Sequence, residues 1–471
     1  MNISLLNSEI AVVVLALLLI IFDLLLPRQE TRRSLGYVAA SGLLGILVFT
    51  FTQYGTSATV YLDFFVLDPL ALFAKQLFLT ATLLTILFSF DYVENLTQNT
   101  GEFYALLLFA MLGMMLMASA NDLLTMFIGL ELMAVVFYAL VGFDLESKRS
   151  SEAGIKYLIL GSASSAVLLY GISWIYGFTG SLVFSRIAAQ LAVSPAVLLG
   201  LGLMIAGFCF KLSIVPFHMW APDVYQGAPA PVTALLAMGS KAAAFAVLLR
   251  VFLVAFAGLT FYWAPVISVL AALSMVAGIV VAIWQTDIKR MLAYSSIAQA
   301  GYILSGLLAA NSAGVKGMLF YLVLYMFATA GAFAVAVAVN RHSGSGDIQA
   351  FSGLSQQSPL LALVMTVSLL SMAGIPPLAG FAGKMYLFMA IAEQGYLWLV
   401  ILGFVMSMIS VYYYILVVKA MYSHEPEDER EFMVSSPLRL VAVVSLLASL
   451  FVGIYPEPLA ELANAAALAL W

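Results

Sequence analysis

Five ionisable side chains stand inside long apolar segments, where charged groups are rare. They are Glu131 in GLELMAVVFYAL, Lys156 in GIKYLIL, Lys211 in CFKLSIVPFH, Lys241 in MGSKAAAF and Lys384 in AGFAGKMYLF. A buried charge at membrane depth costs several kcal/mol and usually marks an ion path or a buried pair. Glu131 is the one obvious deep acidic partner for three deep lysines, so pairing cannot neutralise them all. We therefore predict that Glu131 and these lysines relay protons.

Lysine suits such a relay because two opposing effects act on its pKa. Desolvation lowers the pKa of an amine, and a nearby carboxylate raises it. At about 4 Å and an effective dielectric near 20, a unit charge pair is worth about 4 kcal/mol. A carboxylate that moves can therefore switch the protonation of a poised amine.

Lys156 and Lys75 have a second interpretation. Each lies near the end of an apolar segment, where a lysine can form a structural ion pair or extend its amine to the membrane interface. Both interpretations stay open from the sequence, and Lys156 remains among the relay candidates.

Two of the deep lysines lie beside helix-breaking residues. Lys211 precedes Pro216, and Lys384 follows Pro376 and Pro377. A broken helix exposes backbone groups that are tolerated at membrane depth only against protein or water. Paired breaks, one in each half of a transporter, are typical of inverted repeats and of the conduction site. We predict two broken spans around these prolines.

Other polar residues are candidates for carrying protons between the lysines. Ser295, Ser296 and Gln299 cluster at the head of one apolar segment, and His218 lies just past Pro216. A histidine titrates in a useful pH range, although His218 can equally cap a helix end. Both readings of His218 stay open.

The elements that position these residues are transmembrane helices. Of 471 residues, 64% are hydrophobic and 9% are charged, with a mean hydropathy of +1.07, whereas a soluble domain has about 25% charged residues. A helix of roughly 20 residues crosses a ~30 Å hydrocarbon core. We predict an all-α polytopic membrane protein of about fourteen spans, at residues 8–27, 34–53, 66–90, 103–119, 122–142, 155–177, 196–219, 229–255, 262–284, 289–309, 315–339, 359–392, 396–421 and 437–456.

The polar composition argues against several functions. A net charge of −5 offers no basic patch for nucleic acid. The single cysteine, Cys209, is too few for an iron–sulfur cluster. The three histidines, His218, His342 and His424, lie far apart and lack metal-binding spacing. We expect no catalytic redox centre, no metal and no cofactor in this chain.

The basic residues predict the orientation in the membrane, since Lys and Arg concentrate in cytoplasmic loops. Loops are numbered from the N-terminus. The odd-numbered loops and their edges carry Arg28, Arg32, Arg33, Lys148, Arg149, Lys289, Arg290, Arg341, Lys419, Arg430 and Arg439, and the even-numbered ones carry Arg186, Arg250 and Lys316. We predict that the odd-numbered loops are cytoplasmic and that both termini face the other side.

One loop, Ser423 to Ser436, is strongly acidic. It contains Glu425, Glu427, Asp428, Glu429 and Glu431. Such a run is typical of a solvated connector, and the alternative is a docking patch for a cytoplasmic partner.

A long motif connects these residues to a known family. The run FKLSIVPFHMWAPDVYQGAPAPVTALLAMGSK, Phe210 to Lys241, resembles the signature of the proton-translocating, antiporter-like membrane subunits of NADH:quinone oxidoreductase, respiratory complex I. Its YQGAPAPV portion is similar to the N type rather than the L or M types. Further similar segments are GLELMAVVFYALVGF, EAGIKYLILGSASSA, QTDIKRMLAYSSIAQAGY and SMAGIPPLAGFAGK. The resemblance covers nearly the whole chain.

The resemblance implies a domain organisation. Residues 1–100 would hold helices 1 to 3, 103–255 and 262–421 would form two inverted five-helix repeats, and 437–471 would hold helix 14. Helices 7 and 12 would be broken, each beside a key lysine, Lys211 and Lys384. Lys241 matches the linking lysine of helix 8, Glu131 the glutamate of helix 5, and Lys156 the lysine of helix 6.

The resemblance also implies a mechanism and partners. Quinone reduction elsewhere in the complex would shift the Glu131 and Lys211 pair, and a proton would then pass from the cytoplasm through Lys211 and Lys241 to Lys384 and out. Flavin, iron–sulfur clusters and quinone would belong to partner subunits, and other antiporter-like subunits would be membrane neighbours. The expected location is a bacterial cytoplasmic membrane.

Three alternatives remain at this point. The chain could be a subunit of a multisubunit cation/proton antiporter, a subunit that itself binds quinone, or a scaffold that does not conduct. The YQGAPAPV segment argues against the first, and the lack of redox ligands weakens the second. The retention of titratable residues at all five positions argues against the third.

Overall fold

The apolar segments form helices because each backbone polar group in lipid must be satisfied within its own segment. The computed structural model describes residues 3–25, 32–60, 63–96, 99–423, 425 and 432–471. It is an all-α polytopic membrane protein, as predicted.

The α-helices occupy most of the described chain. They are α1 Asn7–Leu25, α2 Arg32–Phe51, α3 Pro69–Leu96, α4 Thr100–Ser119, α5 Leu123–Val141, α6 Lys148–Thr179, α7 Phe184–Gln190, α8 Pro195–Leu212, α9 Trp220–Gly227, α10 Ala230–Leu235, α11 Lys241–Arg250, α12 Thr260–Ala282, α13 Ile288–Ser305, α14 Ser312–Ser343, α15 Leu354–Gln357, α16 Pro359–Ala373, α17 Ala379–Ala392, α18 Leu397–Ser423, α19 Ser436–Ile454 and α20 Glu457–Ala467. Two π-helical turns, Leu236–Ser240 and Val251–Ala255, flank α11.

The described residues contain the predicted spans. Thirteen helical segments are long and apolar enough to cross a membrane. The predicted twelfth span, 359–392, is instead divided into the shorter apolar helices α16 and α17. The sequence did not predict the short antiparallel pair β1 (Ala58–Val60) and β2 (Phe65–Leu67), nor α7, α9, α15 and α20.

The two predicted helix breaks are present and have the same form. After α8, Ser213 adopts a left-handed conformation and the Ile214 amide donates to the Cys209 carbonyl oxygen at 2.8 Å. After α16, Gly374 is left-handed and the Ile375 amide donates to the Leu370 carbonyl oxygen at 3.1 Å. In both cases a six-residue C-terminal cap ends the helix.

Each break continues into prolines, which lack a backbone donor and cannot extend the helix. The Val215–Pro216 and Pro376–Pro377 peptide bonds are cis. The shared geometry agrees with the expected pair of repeats, whose boundaries stay a prediction.

Ion pairs join the loops in the two sets that the basic residues suggested. Arg33 and Arg341, near odd-numbered loops, both pair with Asp91, at 3.3 and 3.1 Å. Asp68 and Arg250, near even-numbered loops, pair at 2.7 Å. Loops predicted to share a side therefore meet. Arg28, Arg430, His424 and the acidic residues Glu427, Asp428, Glu429 and Glu431 lie outside the described residues.

Glycines bring α4 and α5 into close backbone contact. A Cβ atom on Gly113 would lie 2.6 Å from the backbone nitrogen of Met133 and 2.8 Å from the carbonyl oxygen of Gly129. Small residues at such positions are what allows membrane helices to approach closely. The backbone of α5, which carries Glu131, is therefore held against α4.

We expect Gly113→Ala to lower the free energy of unfolding by about 1–3 kcal/mol, because the added methyl group must push the two backbones apart. Gly45→Ala is the matched control: Gly45 lies in α2 with no heavy atom within 4 Å of its Cβ position. Alanine there should be neutral or stabilising by roughly 0.5–1 kcal/mol. Thermal unfolding of the purified variants in mild detergent measures both, and equal stabilities would contradict the close packing.

Candidate functional site

The buried amine of Lys241 is bonded to α13. Lys241 is the first residue of α11, directly after a π-helical turn, and π turns occur frequently at functional sites. Its Nζ donates to the Oγ of Ser296 at 2.8 Å and to the Ser296 carbonyl oxygen at 2.9 Å. The Tyr225 ring centre lies 5.9 Å from the amine. A single serine thus supplies both of these acceptors.

The buried amine of Lys384 donates hydrogen bonds to carbonyl oxygens that the second helix break exposes. Its Nζ donates to the carbonyl oxygens of Met372 and Ala373, at 3.0 and 2.9 Å, and to Ser407 Oγ at 2.7 Å. These carbonyls end α16, where no amide one turn later can reach them. The C-terminus of a helix also carries partial negative charge, which favours a cation there. The break therefore creates the binding position for the lysine.

Lys211 differs from Lys384 because another donor binds the carbonyl oxygen that is exposed at the end of its helix. The indole of Trp220 donates to the Phe210 carbonyl oxygen at 2.9 Å. The buried Nζ of Lys211 has no hydrogen-bond partner within the part of the chain that the structure describes, and lies 5.9 Å from the Tyr138 ring centre. The amine is thus not committed to any acceptor.

Glu131 is the charged neighbour of Lys211. It lies on α5, half-buried, and its Oε1 likewise lacks a hydrogen-bond partner among the described residues. The carboxylate acts electrostatically on Lys211, but the structure contains no direct ion pair between the two within 4.0 Å. Their interaction is therefore through space, without a hydrogen bond that fixes it.

The predicted relay residues on α13 lie between Lys241 and Lys384. Gln299 donates through Nε2 to the Met372 carbonyl oxygen at 3.0 Å, the same oxygen that accepts from Lys384. Ser296, one turn earlier, bonds Lys241. Ser295 shares a short hydrogen bond with Tyr414. One helix face therefore carries polar groups from one buried lysine to the next.

Two candidates lie away from this row. His218 is half-buried in the first break between the exposed residues Phe217 and Met219. Lys156 is 42% exposed, and its Nζ pairs with Glu152 at 2.7 Å and Asp223 at 3.0 Å. The ion-pair interpretation of Lys156 describes its position, and its role in the relay stays a prediction.

Asp223 is the centre of that exposed network. It also accepts from Arg290 Nη1 at 2.7 Å. Burial raises the pKa of the Asp223 carboxyl, but the hydrogen bonds from Arg290 and Lys156 outweigh this effect and hold the pKa below its usual range. The carboxylate is therefore ionised at neutral pH and joins α6, α9 and α13.

Several polar groups beside the lysines were not among the predicted relay residues. Tyr321 donates to Gln299 Oε1 at 2.6 Å, and the Tyr302 ring centre lies 4.5 Å from the Lys384 amine. Ser407 and Tyr414 complete the set. The available signal was helical spacing, since Tyr302 lies three residues after Gln299 on the same face.

Two buried ion pairs were also not predicted. Lys75 pairs with Glu9 at 2.7 Å, both almost fully buried, so the structural interpretation of Lys75 describes it. Asp68 pairs with Arg250, whose Nε donates to the Ala118 carbonyl oxygen at 3.1 Å.

The fold and the buried lysine row define a polytopic, antiporter-like membrane protein. Residues 120–410 match the family described as NADH:quinone oxidoreductase/Mrp antiporter, transmembrane. The NADH-quinone oxidoreductase subunit N of Heliobacterium modesticaldum is 54% identical over 475 residues, 100% of both chains. The chain belongs to this family, which confirms the resemblance seen in the sequence.

Solved structures agree with this assignment. A chain of respiratory complex I from Thermus thermophilus with bound aureothin is 34% identical, with a TM-score of 0.84 and coverage of 97% of this chain and 99% of that one. A chain of the Mrp complex from Dietzia has a TM-score of 0.88 over 100% and 98% of the two chains. At 22% identity, this second similarity shows the fold alone.

We expect Asp223→Asn to destabilise the protein at pH 7 by about 0.5–1 kcal/mol, the scale of partly exposed ion pairs. The folded pKa lies below the unfolded value of about 3.9. The stabilisation is therefore fully present above that value and is lost as pH falls through the folded pKa.

Thermal unfolding of wild-type protein and variant between pH 7 and pH 3 measures this difference. Exposed Glu393, changed to Gln, is the control and should have little effect at either pH. A difference for Asp223→Asn that persists unchanged at the acid end would contradict the assignment.

Proposed function

We propose that this chain is a proton-translocating membrane-arm subunit of NADH:quinone oxidoreductase, which moves protons through buried Lys and Glu residues while quinone is reduced elsewhere in the complex. The observation that carries the proposal is the polar face of α13, which joins Lys241 to Lys384 through Ser296, Gln299 and the Met372 carbonyl. Family membership supplies the class of complex.

The contacts of Lys241 and Lys384 favour transfer over storage of charge. Each amine is hydrogen-bonded to neutral oxygens, and no carboxylate lies within 4.0 Å of either in the described part of the chain. A carboxylate in a low-dielectric site would hold the ammonium form strongly. Neutral acceptors stabilise the ammonium form less, so the proton can move on.

Lys211 and Glu131 form the switch in this proposal. The Lys211 amine has no hydrogen bond to break, so a shift of Glu131 is opposed only by electrostatic attraction. Because the two groups are more than 4 Å apart, that attraction is below about 4 kcal/mol at an effective dielectric near 20. Moving one charge against the membrane potential costs about 2.3 kcal/mol per 100 mV. The two quantities are of the same order, as coupling requires.

The other parts of the proposal concern the setting of the chain. This subunit has no catalytic redox role and holds no cofactor, so flavin, iron–sulfur clusters and quinone belong to its partners. Those partners include other antiporter-like membrane subunits of the complex. The chain lies in a bacterial cytoplasmic membrane with its odd-numbered loops cytoplasmic and both termini on the other side.

We expect Lys211→Ala and Lys384→Ala to lower the number of protons pumped per electron. A positioned proton-transfer group contributes about 10²–10⁴-fold, so each variant should remove this subunit's share of pumping. The measurement is the proton-to-electron ratio of the whole complex in inverted membrane vesicles, with NADH:quinone activity as the reference. Lys148→Ala, at an exposed position of α6, is the control, and unchanged ratios in both test variants would rule out the relay.

We expect Glu131→Gln to impair coupling more than assembly. The amide keeps the size of the side chain and removes the charge that acts on Lys211. Vesicles with this variant should oxidise NADH with a smaller proton gradient per electron. Full pumping by Glu131→Gln, measured against wild-type vesicles with equal amounts of complex, would remove the switching role.

A further inference from the structure

A cavity opens at the end of the molecule predicted to face the cytoplasm. It has a volume of about 190 Å³ and lies between the start of α6 and α9. Glu152, Lys156, Asp223 and Gln226 contribute polar walls. Two carboxylates at its rim, Glu152 and Asp223, are each ion-paired to Lys156. The cavity can therefore hold water in contact with acidic groups.

Lys289 is bonded to the chain one residue beyond the lining of this cavity. It is the second residue of α13 and half-buried, and its Nζ donates to the carbonyl oxygen of Ala228 at 3.0 Å. Ala228 follows Gly227, which lines the cavity. Neighbouring Arg290 is bound to Asp223, whereas no carboxylate oxygen of a described residue lies within 4.0 Å of the Lys289 amine. Among the described residues, Lys289 thus lacks a fixed counter-charge, unlike its neighbour Arg290.

One face of α13 leads from Lys289 to the buried row. Positions 289, 293 and 296 follow the spacing that places residues on one helix face. Ala293 is small and fully buried, and Ser296 bonds the amine of Lys241. Seven residues of helix rise about 10 Å, a distance that water must bridge.

We propose that Lys289 is the proton-uptake residue that supplies Lys241 from the cavity. Neutral Nζ accepts a proton from water in the cavity, and the ammonium group then gives a proton to water on the side of Ser296, so the lysine returns to its starting form. This route rests on the proposed function and joins the relay at Lys241. It does not pass through Lys211, which lies on α8.

Arg290 does not share this role although it is adjacent. A guanidinium group stays charged at all physiological pH values, and its Nη1 is held by Asp223 and Gln226 at 2.7 and 3.2 Å. Its contacts instead fix the wall of the cavity against α13. Because an arginine keeps its charge, Lys289→Arg can separate the need for a charge at this position from the need for proton release.

The experiment compares Lys289→Met, Lys289→Arg and Lys148→Met in the assembled complex. Arginine retains the charge and a donor for the Ala228 carbonyl but does not release a proton. In inverted vesicles we expect both Lys289 variants to lose as much pumping per electron as Lys241→Ala, with the Lys148 variant unchanged.

Each outcome supports or overturns the uptake role of Lys289. Normal pumping by Lys289→Arg, even with a defective Lys289→Met, would show that only a fixed charge is needed and overturn the uptake role. Normal pumping by both, with Lys211→Ala and Lys384→Ala defective, would overturn the inlet and leave the proposed function standing. Normal pumping by all four would overturn both.

Discussion

A helix that ends inside a membrane leaves carbonyl oxygens that water cannot satisfy, and this constraint organises the protein. The two broken spans use different donors to satisfy these carbonyl oxygens. At the end of α16, Lys384 donates to the exposed carbonyls. At the end of α8, backbone amides and the Trp220 indole do so. One buried lysine is thereby engaged and the other, Lys211, is left without a hydrogen bond in the described structure.

The asymmetry between the breaks matches the different tasks that we propose for the two lysines. An amine that completes a helix end has a defined position and a defined set of acceptors, which suits a step that must hand a proton onward. An amine without acceptors responds to any nearby charge, which suits a step that must receive a signal. α13 lies between Lys241 and Lys384 and contributes hydroxyl and amide groups, which can both donate and accept.

The sequence predicted the elements that depend on hydropathy and on proline. The spans, both breaks and the polar cluster at Ser295, Ser296 and Gln299 could be read directly, because apolar length and missing backbone donors are local properties. What could not be read was pairing across helices. Lys75 and Lys156 lie in similar sequence surroundings, yet one is buried against Glu9 and the other is exposed beside Asp223. Only the packing of distant segments decides between these outcomes.

The tyrosines around the lysines were hidden for a related reason. In an apolar segment a tyrosine is indistinguishable from a packing aromatic until its hydroxyl meets a partner, as Tyr321 meets Gln299. The lysines stood out because a charge in lipid is always exceptional. Sequence analysis therefore identifies the charged residues of a proposed proton relay more readily than the neutral polar residues between them.

The glycine contact between α4 and α5 constrains how the protein can respond to a signal. The two backbones are already so close that an added Cβ on Gly113 or Gly129 would meet a backbone nitrogen of the other helix at 2.6 or 2.9 Å. The helix that carries Glu131 is thus packed tightly against α4. We therefore expect movement at that carboxylate to come from rotation about its own side-chain bonds, a motion far faster than displacement of a helix.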